Sequence, residues 1–166
     1  MARVSVVAAL AALLVVLCGC SPIERKYRKE AVRDVPFKAV REGPAACQGK
    51  VFIWGGWIVE TSNRPDGTDL MVLQTPLDDS DRPGERESSQ GRFIARTARF
   101  LDPAIYAKGR AVTVAGVLVG REDRALDGTT YSYPVLELRQ IHLWRPEDFL
   151  GPRTSVGLGV GVGVGL

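Results

Sequence analysis

Histidine is nearly absent: the 166 residues hold only His142. One imidazole excludes metal sites built on a His pair and every catalytic scheme that needs two imidazoles. Net charge of one sign is also scarce, with 22 Lys+Arg standing against 19 Asp+Glu for a formal +3. Charge so evenly mixed lacks the clustered basic face that nucleic-acid binding needs, so no nucleic-acid partner is expected. A second core is not expected either, because a chain of this length supports one modest domain. Nor is there an apolar run long enough to span a bilayer as a helix. The longest, Val4 to Cys18, is broken only by Ser5, and it falls short of the roughly 20 residues that a span requires.

That short run has another reading. A single charge, Arg3, precedes it, which is the arrangement of an export signal. Its end is more specific. Leu17-Cys18-Gly19-Cys20 resembles the bacterial lipobox: an aliphatic residue, two small residues, then an obligatory Cys whose thiol accepts a diacylglyceryl group. Residues 1–19 are therefore expected to be a lipoprotein signal peptide, cut between Gly19 and Cys20, with Cys20 lipidated. A plain secretory signal in which Cys20 is incidental is the alternative. Two or three acyl chains anchor a protein stably where one does not. The implied partners are the lipoprotein export machinery and outer-membrane lipid held through Cys20. Ser21, where Asp would mark inner-membrane retention, favours the outer membrane.

Cysteine is also scarce. With Cys18 removed and Cys20 acylated, Cys47 is the one thiol left, so no intramolecular disulfide forms. Cys47 is either a small apolar core residue or a thiol that pairs between chains or serves as a nucleophile.

Residues 20–36, dense in charge from Glu24 to Glu30, read as a lipidated tether. Basic residues so close to an anchor can meet anionic headgroups. Residues 37–150 read as an all-β domain. Val51 to Val59 is β-branched and aromatic around Gly55-Gly56, and glycines inside a strand mark a bulge or a barrel corner. Asp69–Thr75, Arg92–Arg99, Ala111–Val119 (closed by Gly120) and Val135–Trp144 supply four more strands. In the last, the apolar positions change phase near Arg139-Gln140, as a bulge would make them. Leu101-Asp102-Pro103 predicts a short helix start, with Asp102 as cap and Pro103 in the first turn. Five strands with a short helix between the third and fourth match a small OB-like barrel, and a small β-sandwich is the alternative. Residues 151–166 form a Gly/Val-rich low-complexity tail.

No catalytic motif emerges. There is no nucleophile elbow and no phosphate-binding Gly loop before a helix. The acidic loop at 78–90 puts Pro83 at a calcium-ligand position and Gln90 where Glu is needed. Neither cofactor nor metal is expected. Glu60 and Glu137 are carboxylates that would serve a glycosidase only if the fold brought them together. Trp54, Trp57, Tyr131 and Tyr133 offer stacking surface for a ligand, a glycan before nucleic acid in the envelope.

The string Gln90-Gly91-Arg92, Ala95-Arg96, Phe100-Leu101-Asp102-Pro103 and Tyr106, with Gly55-Gly56 upstream and Ile141-x-x-Trp144 downstream, resembles the Slp family of outer-membrane lipoproteins. The match runs over about residues 37–146, and the Gly-Val tail is outside it. The resemblance implies a starvation- or stationary-phase-associated lipoprotein of the Gram-negative outer membrane with no assigned enzymatic activity; the chain is expected not to be an enzyme and to face the periplasm. An envelope protein is a further implied partner. Only Cys20 carries over as a functional residue. Arg92, Arg96, Asp102 and Pro103 are family-typical, with a structural role expected: an Arg–Asp pair pinning the short helix. An enzyme acting on envelope polymers is the competing reading, and an aromatic groove that binds glycan is a third.

Overall fold

A computed structural model describes residues 21–150. The expected signal peptide, the Gly19–Cys20 cleavage site and the 151–166 tail lie outside the described residues. Two short helices, α1 (Arg25–Glu30) and α2 (Phe37–Glu42), and a 3-10 turn at Pro44–Cys47 precede the strands. The strands are β1 (Val51–Arg64), β2 (Gly67–Thr75), β3 (Gly91–Thr97), β4 (Ala111–Leu126) and β5 (Thr129–Leu143). They form one sheet that closes in a ring, in the order β1-β2-β3-β5-β4. Every pairing is antiparallel except β3 with β5, which run parallel from Ile94↔Val135 to Arg96↔Glu137. The all-β, five-strand expectation holds, and a single closed sheet replaces the two stacked sheets of the alternative.

Alternation along the strands builds the inside of the ring. Phe52, Trp54, Ile58, Leu70, Val72, Phe93, Val112, Val114, Leu118 and Leu136 form one buried cluster. Phe37 and Val40 of α2 join it near Gly91, the start of β3, while Leu101 joins it beyond Thr97, where β3 ends. Opposite ends of the ring are thus filled by a helix and by a loop.

Three residues are left without a cross-strand partner: Val59, Val119 and Arg139. The bulge expected at Arg139-Gln140 is therefore present. Gly56 is needed for a different reason. Its φ is +155°, and a Cβ there would stand 1.8 Å from the carbonyl oxygen of Leu73. The backbones of β1 and β2 touch at this point.

Two sequence expectations are corrected. The helix expected from Leu101-Asp102-Pro103 does not form. Asp102 does cap, its Oδ1 accepting the Ala104 N–H at 2.8 Å, and its carbonyl accepts from Ile105 and Tyr106. One turn is all that follows, because Leu101 is buried and the Tyr106 carbonyl is held by Thr61 Oγ1 at 2.6 Å. A single turn fixed at both ends cannot propagate into a helix. The second correction concerns residues 21–36, which are docked, not free. Ile23 is 2% exposed and packs with Ile53 and Ala115 on the outer face of the ring, with Tyr27 and Ala31 beside it. The Val32 N–H then donates to the Val51 carbonyl at 2.9 Å.

Candidate functional site

Three peripheral segments meet on the outer wall formed by β1, β4 and β5: residues 21–33, the loop at 77–84, and a 3-10 turn at Pro146–Phe149. Asp81 in the middle segment holds the first. It has a positive φ of 59°, a conformation Asp tolerates better than most residues, and this turns its carboxylate inward to 2% side-chain exposure. Ser21 Oγ donates to that carboxylate. Arg33 and Arg28 stand at 3.4 and 3.6 Å from it. Gln140 adds a second grip, its amide accepting from the Glu24 N–H at 2.9 Å and donating to the Pro22 carbonyl at 3.0 Å. The residue next to Cys20 is thereby fixed on the wall.

From Asp81 the hydrogen bonds continue. Its carbonyl accepts from Thr113 Oγ1 at 2.6 Å, and the same hydroxyl accepts from Trp144 Nε1 at 2.9 Å. Trp144 stands at the rim of a cleft. Trp57 and Phe149 face each other across 5.1 Å between ring centroids, and Trp144 lies 6.4 Å from Phe149. Trp57 Nε1 donates to the Gly84 carbonyl at 2.9 Å. The inner part of the cleft has about 220 Å³ and is lined by Trp57, Arg110, Trp144, Arg145 and Phe149 among others. It opens beside a shallower part of about 420 Å³ that adds Asp78, Arg82, Glu85 and Asp148. The Arg86 guanidinium lies 4.5 Å over the Trp57 ring.

Two of the three carboxylates of the shallower part, Asp78 and Asp148, are engaged, and Glu85 is exposed. Burial raises the Asp78 pKa, but N–H donation from Arg82 and Ser80 and the Arg82 guanidinium outweigh it and hold it below its ordinary value. Asp148 Oδ2 accepts the Arg145 N–H at 2.8 Å. His142 stacks edge-on to Trp144 at 4.6 Å. Burial lowers its pKa, so the ring is neutral at pH 7.

The structure scatters the residues of the catalytic reading. Cys47 is buried in the core, His142 lies on the wall, Glu60 is bonded to Ser62 and Glu137 to Arg139. Nor do the four expected stacking aromatics share one groove. Trp54 is inside the ring, edge-on to Phe37 and Phe93. Tyr133 is fully buried under Tyr131 with Ile94 and Val135. Only Trp57 belongs to the cleft, and its partners there, Trp144 and Phe149, come from the far end of the sequence.

The family-typical residues also separate. Asp102 and Pro103 are exposed in the β3–β4 loop, and among the described residues neither Arg92 nor Asp102 forms an ion pair. Arg92 donates its backbone N–H to Tyr131 Oη at 2.9 Å. Arg96 pairs with Asp69, its register partner on β2, through two bonds of 2.8 and 2.9 Å. Arg124 reaches the same carboxylate at 2.6 Å, and Glu122 bridges both arginines at 2.6 and 2.8 Å. The expected Arg–Asp pair exists with a different aspartate, and it ties β2, β3 and the β4–β5 hairpin together.

Comparison with known proteins adds the following. The model of a family described as "Outer membrane lipoprotein Slp family" matches residues 17–155. Outer membrane protein Slp of Escherichia coli is 27% identical over 139 residues, 82% of this chain and 73% of that protein. An uncharacterized protein of Haemophilus influenzae is 30% identical over 129 residues, 77% of this chain and 70% of that protein. Among solved structures, the small single-stranded DNA-binding protein from Streptomyces coelicolor aligns at a TM-score of 0.34 and 16% identity, over 56% of this chain and 92% of that one. A likeness at that level carries no argument about ligand.

Proposed function

The chain belongs to the outer membrane lipoprotein Slp family, and from that premise we propose that it is a lipid-anchored binding or structural protein on the periplasmic face of the outer membrane. In this reading the lipoprotein export machinery delivers it, acyl chains on Cys20 hold it, and an envelope protein is its partner in starvation or envelope stress. The closed ring, with its single parallel pairing between β3 and β5, is read as an OB-like barrel that serves as a platform for binding, not for catalysis.

The observation that supports this best is the treatment of Ser21. A residue next to an anchor has no reason to be fixed unless the barrel is to be held in one orientation. Here Ser21 is bonded to a buried carboxylate and followed at once by the buried Ile23.

The test is Cys20→Ala. Membrane fractionation and intact-mass measurement are expected to show a chain that keeps its signal peptide or leaves the outer-membrane fraction, and that carries no acyl mass. A variant still acylated and fully in the outer membrane would overturn the reading.

A further inference from the structure

A covalent lipid on Cys20 leaves the aromatic cleft without a role. We propose that the wall carrying Ser21 faces the membrane, and that the cleft between Trp57, Trp144 and Phe149 seats the headgroup phosphate of an anionic phospholipid. This rests on Cys20 being the lipidated residue.

Placement is the first argument. Ser21, Asp81, Thr113 and Trp144 form one relay of hydrogen bonds. The anchor and the cleft are thus fixed to each other through a single short loop. Anything that brings Ser21 to a bilayer brings the cleft with it. α1 lies on the same wall and exposes Arg25, Arg28 and Lys29.

Charge is the second argument. The residues lining the inner cleft include Arg110 and Arg145 and no carboxylate. Arg86 stands over Trp57 at its edge. None of these three arginines forms an ion pair among the described residues. Arg110 Nε is buried without a hydrogen-bond partner, although its Nη2 holds the Trp144 carbonyl at 3.0 Å. The acids lining the adjoining shallower part are Asp78, Asp148 and the exposed Glu85. Asp78 is neutralised by Arg82, and Asp148 is bonded to the Arg145 N–H.

The third argument is the choice of side chains. Guanidinium groups fork onto phosphate oxygens and are weakly hydrated. Indole rings settle where an apolar body and a wet edge are both satisfied, which is the headgroup level of a bilayer. Three uncompensated arginines around two tryptophans suit that boundary better than open water.

The test uses the full lipidated chain, reconstituted into vesicles with brominated acyl chains. One set contains phosphatidylglycerol in phosphatidylcholine, the other phosphatidylcholine alone. Trp54 lies inside the ring and is shielded, so Trp57→Phe and Trp144→Phe assign the signal. Bromine is expected to remove at least half of the emission from Trp57 and Trp144 in the anionic vesicles, and several-fold less in the neutral ones. The double variant Arg86→Gln/Arg145→Gln, both residues exposed, is expected to bring the anionic result down to the neutral one with near-ultraviolet dichroism unchanged.

Emission unaffected by bromine in a chain shown by mass to be acylated on Cys20 overturns the membrane-facing cleft and leaves the anchor intact. Equal quenching in both vesicle types overturns the headgroup site. So does protection of the same tryptophans by inorganic phosphate or an acidic polysaccharide at concentrations where anionic vesicles have no effect. A chain without acyl mass overturns this inference and the anchor reading together.

Discussion

Asp69 is a buried carboxylate whose charged form the fold stabilises. Burial raises its pKa, but the hydrogen bonds from Arg96 and Arg124 outweigh that and hold it below its ordinary value. Those from Arg124 and Arg96 lower that of Glu122. Groups depressed in the folded state stabilise it above their unfolded pKa values, about 4, and that stability is lost as pH falls through the folded values. The urea midpoint of the detergent-solubilised protein is thus expected to stay flat from pH 7 to 5 and fall steeply below 4. Asp69→Asn/Glu122→Gln should lower the midpoint at pH 7 and flatten the acid limb; an unchanged limb would remove the network from the account. Arg96→Ala leaves the buried carboxylate with fewer donors and is expected to cost about 1–3 kcal/mol in the same measurement. Gly56→Ala, with its Cβ on the Leu73 carbonyl, is expected to yield no folded protein by circular dichroism. The importance of Arg96 was legible in its family-typical spacing. Its partner was not, because Asp102 is close in sequence whereas Asp69 is close only through the β2–β3 register.

At the scale of elements, the loop at 77–84 acts as a clasp between the N-terminal segment and the sheet. Asp81→Asn keeps a residue that accepts positive φ and removes the charge that Arg28 and Arg33 face. Limited trypsin digestion is expected to cut after Arg28 or Arg33 several-fold faster in this variant while the ring stays intact. Equal rates would mean that Ile23, Gln140 and the Val32–Val51 bond hold the segment without Asp81. Much of the element order could be read beforehand. The bulge at Arg139 was visible because a one-residue insertion shifts the phase of Leu136, Leu138, Ile141 and Leu143. The far half of the β4–β5 hairpin was not visible. Arg121 to Leu126 pairs with Thr129 to Pro134 beyond the ring, where one face is solvated and charged residues suit a strand as well as a loop. The docking of residues 21–33 was hidden too, because its apolar content is little more than Ile23, Tyr27 and Ala31. The cleft was hidden for a related reason: Trp57, Trp144 and Phe149 meet only after β4 has paired with both β1 and β5.

For the whole molecule, the fixed Ser21 converts a sequence that looked like a leash into a short mount. A free stretch of the 16 residues from 21 to 36 would extend to roughly 55 Å. With Ser21 bonded to Asp81, one peptide link separates Cys20, the proposed lipidation site, from the barrel wall. Inserting a 12-residue Gly/Ser linker between Cys20 and Ser21 adds a root-mean-square reach of about 20 Å. It is expected to leave the fold intact and to reduce bromine quenching of Trp57 and Trp144; quenching unchanged by the insertion would show that the cleft finds the bilayer without help from the anchor. The consequence is a matter of dimension. Under the anchor proposed above, a protein mounted this way does not patrol the depth of the periplasm. It drifts in a plane, always presenting the same side away from the lipid, so that whatever it meets must either travel in that plane or come down to it.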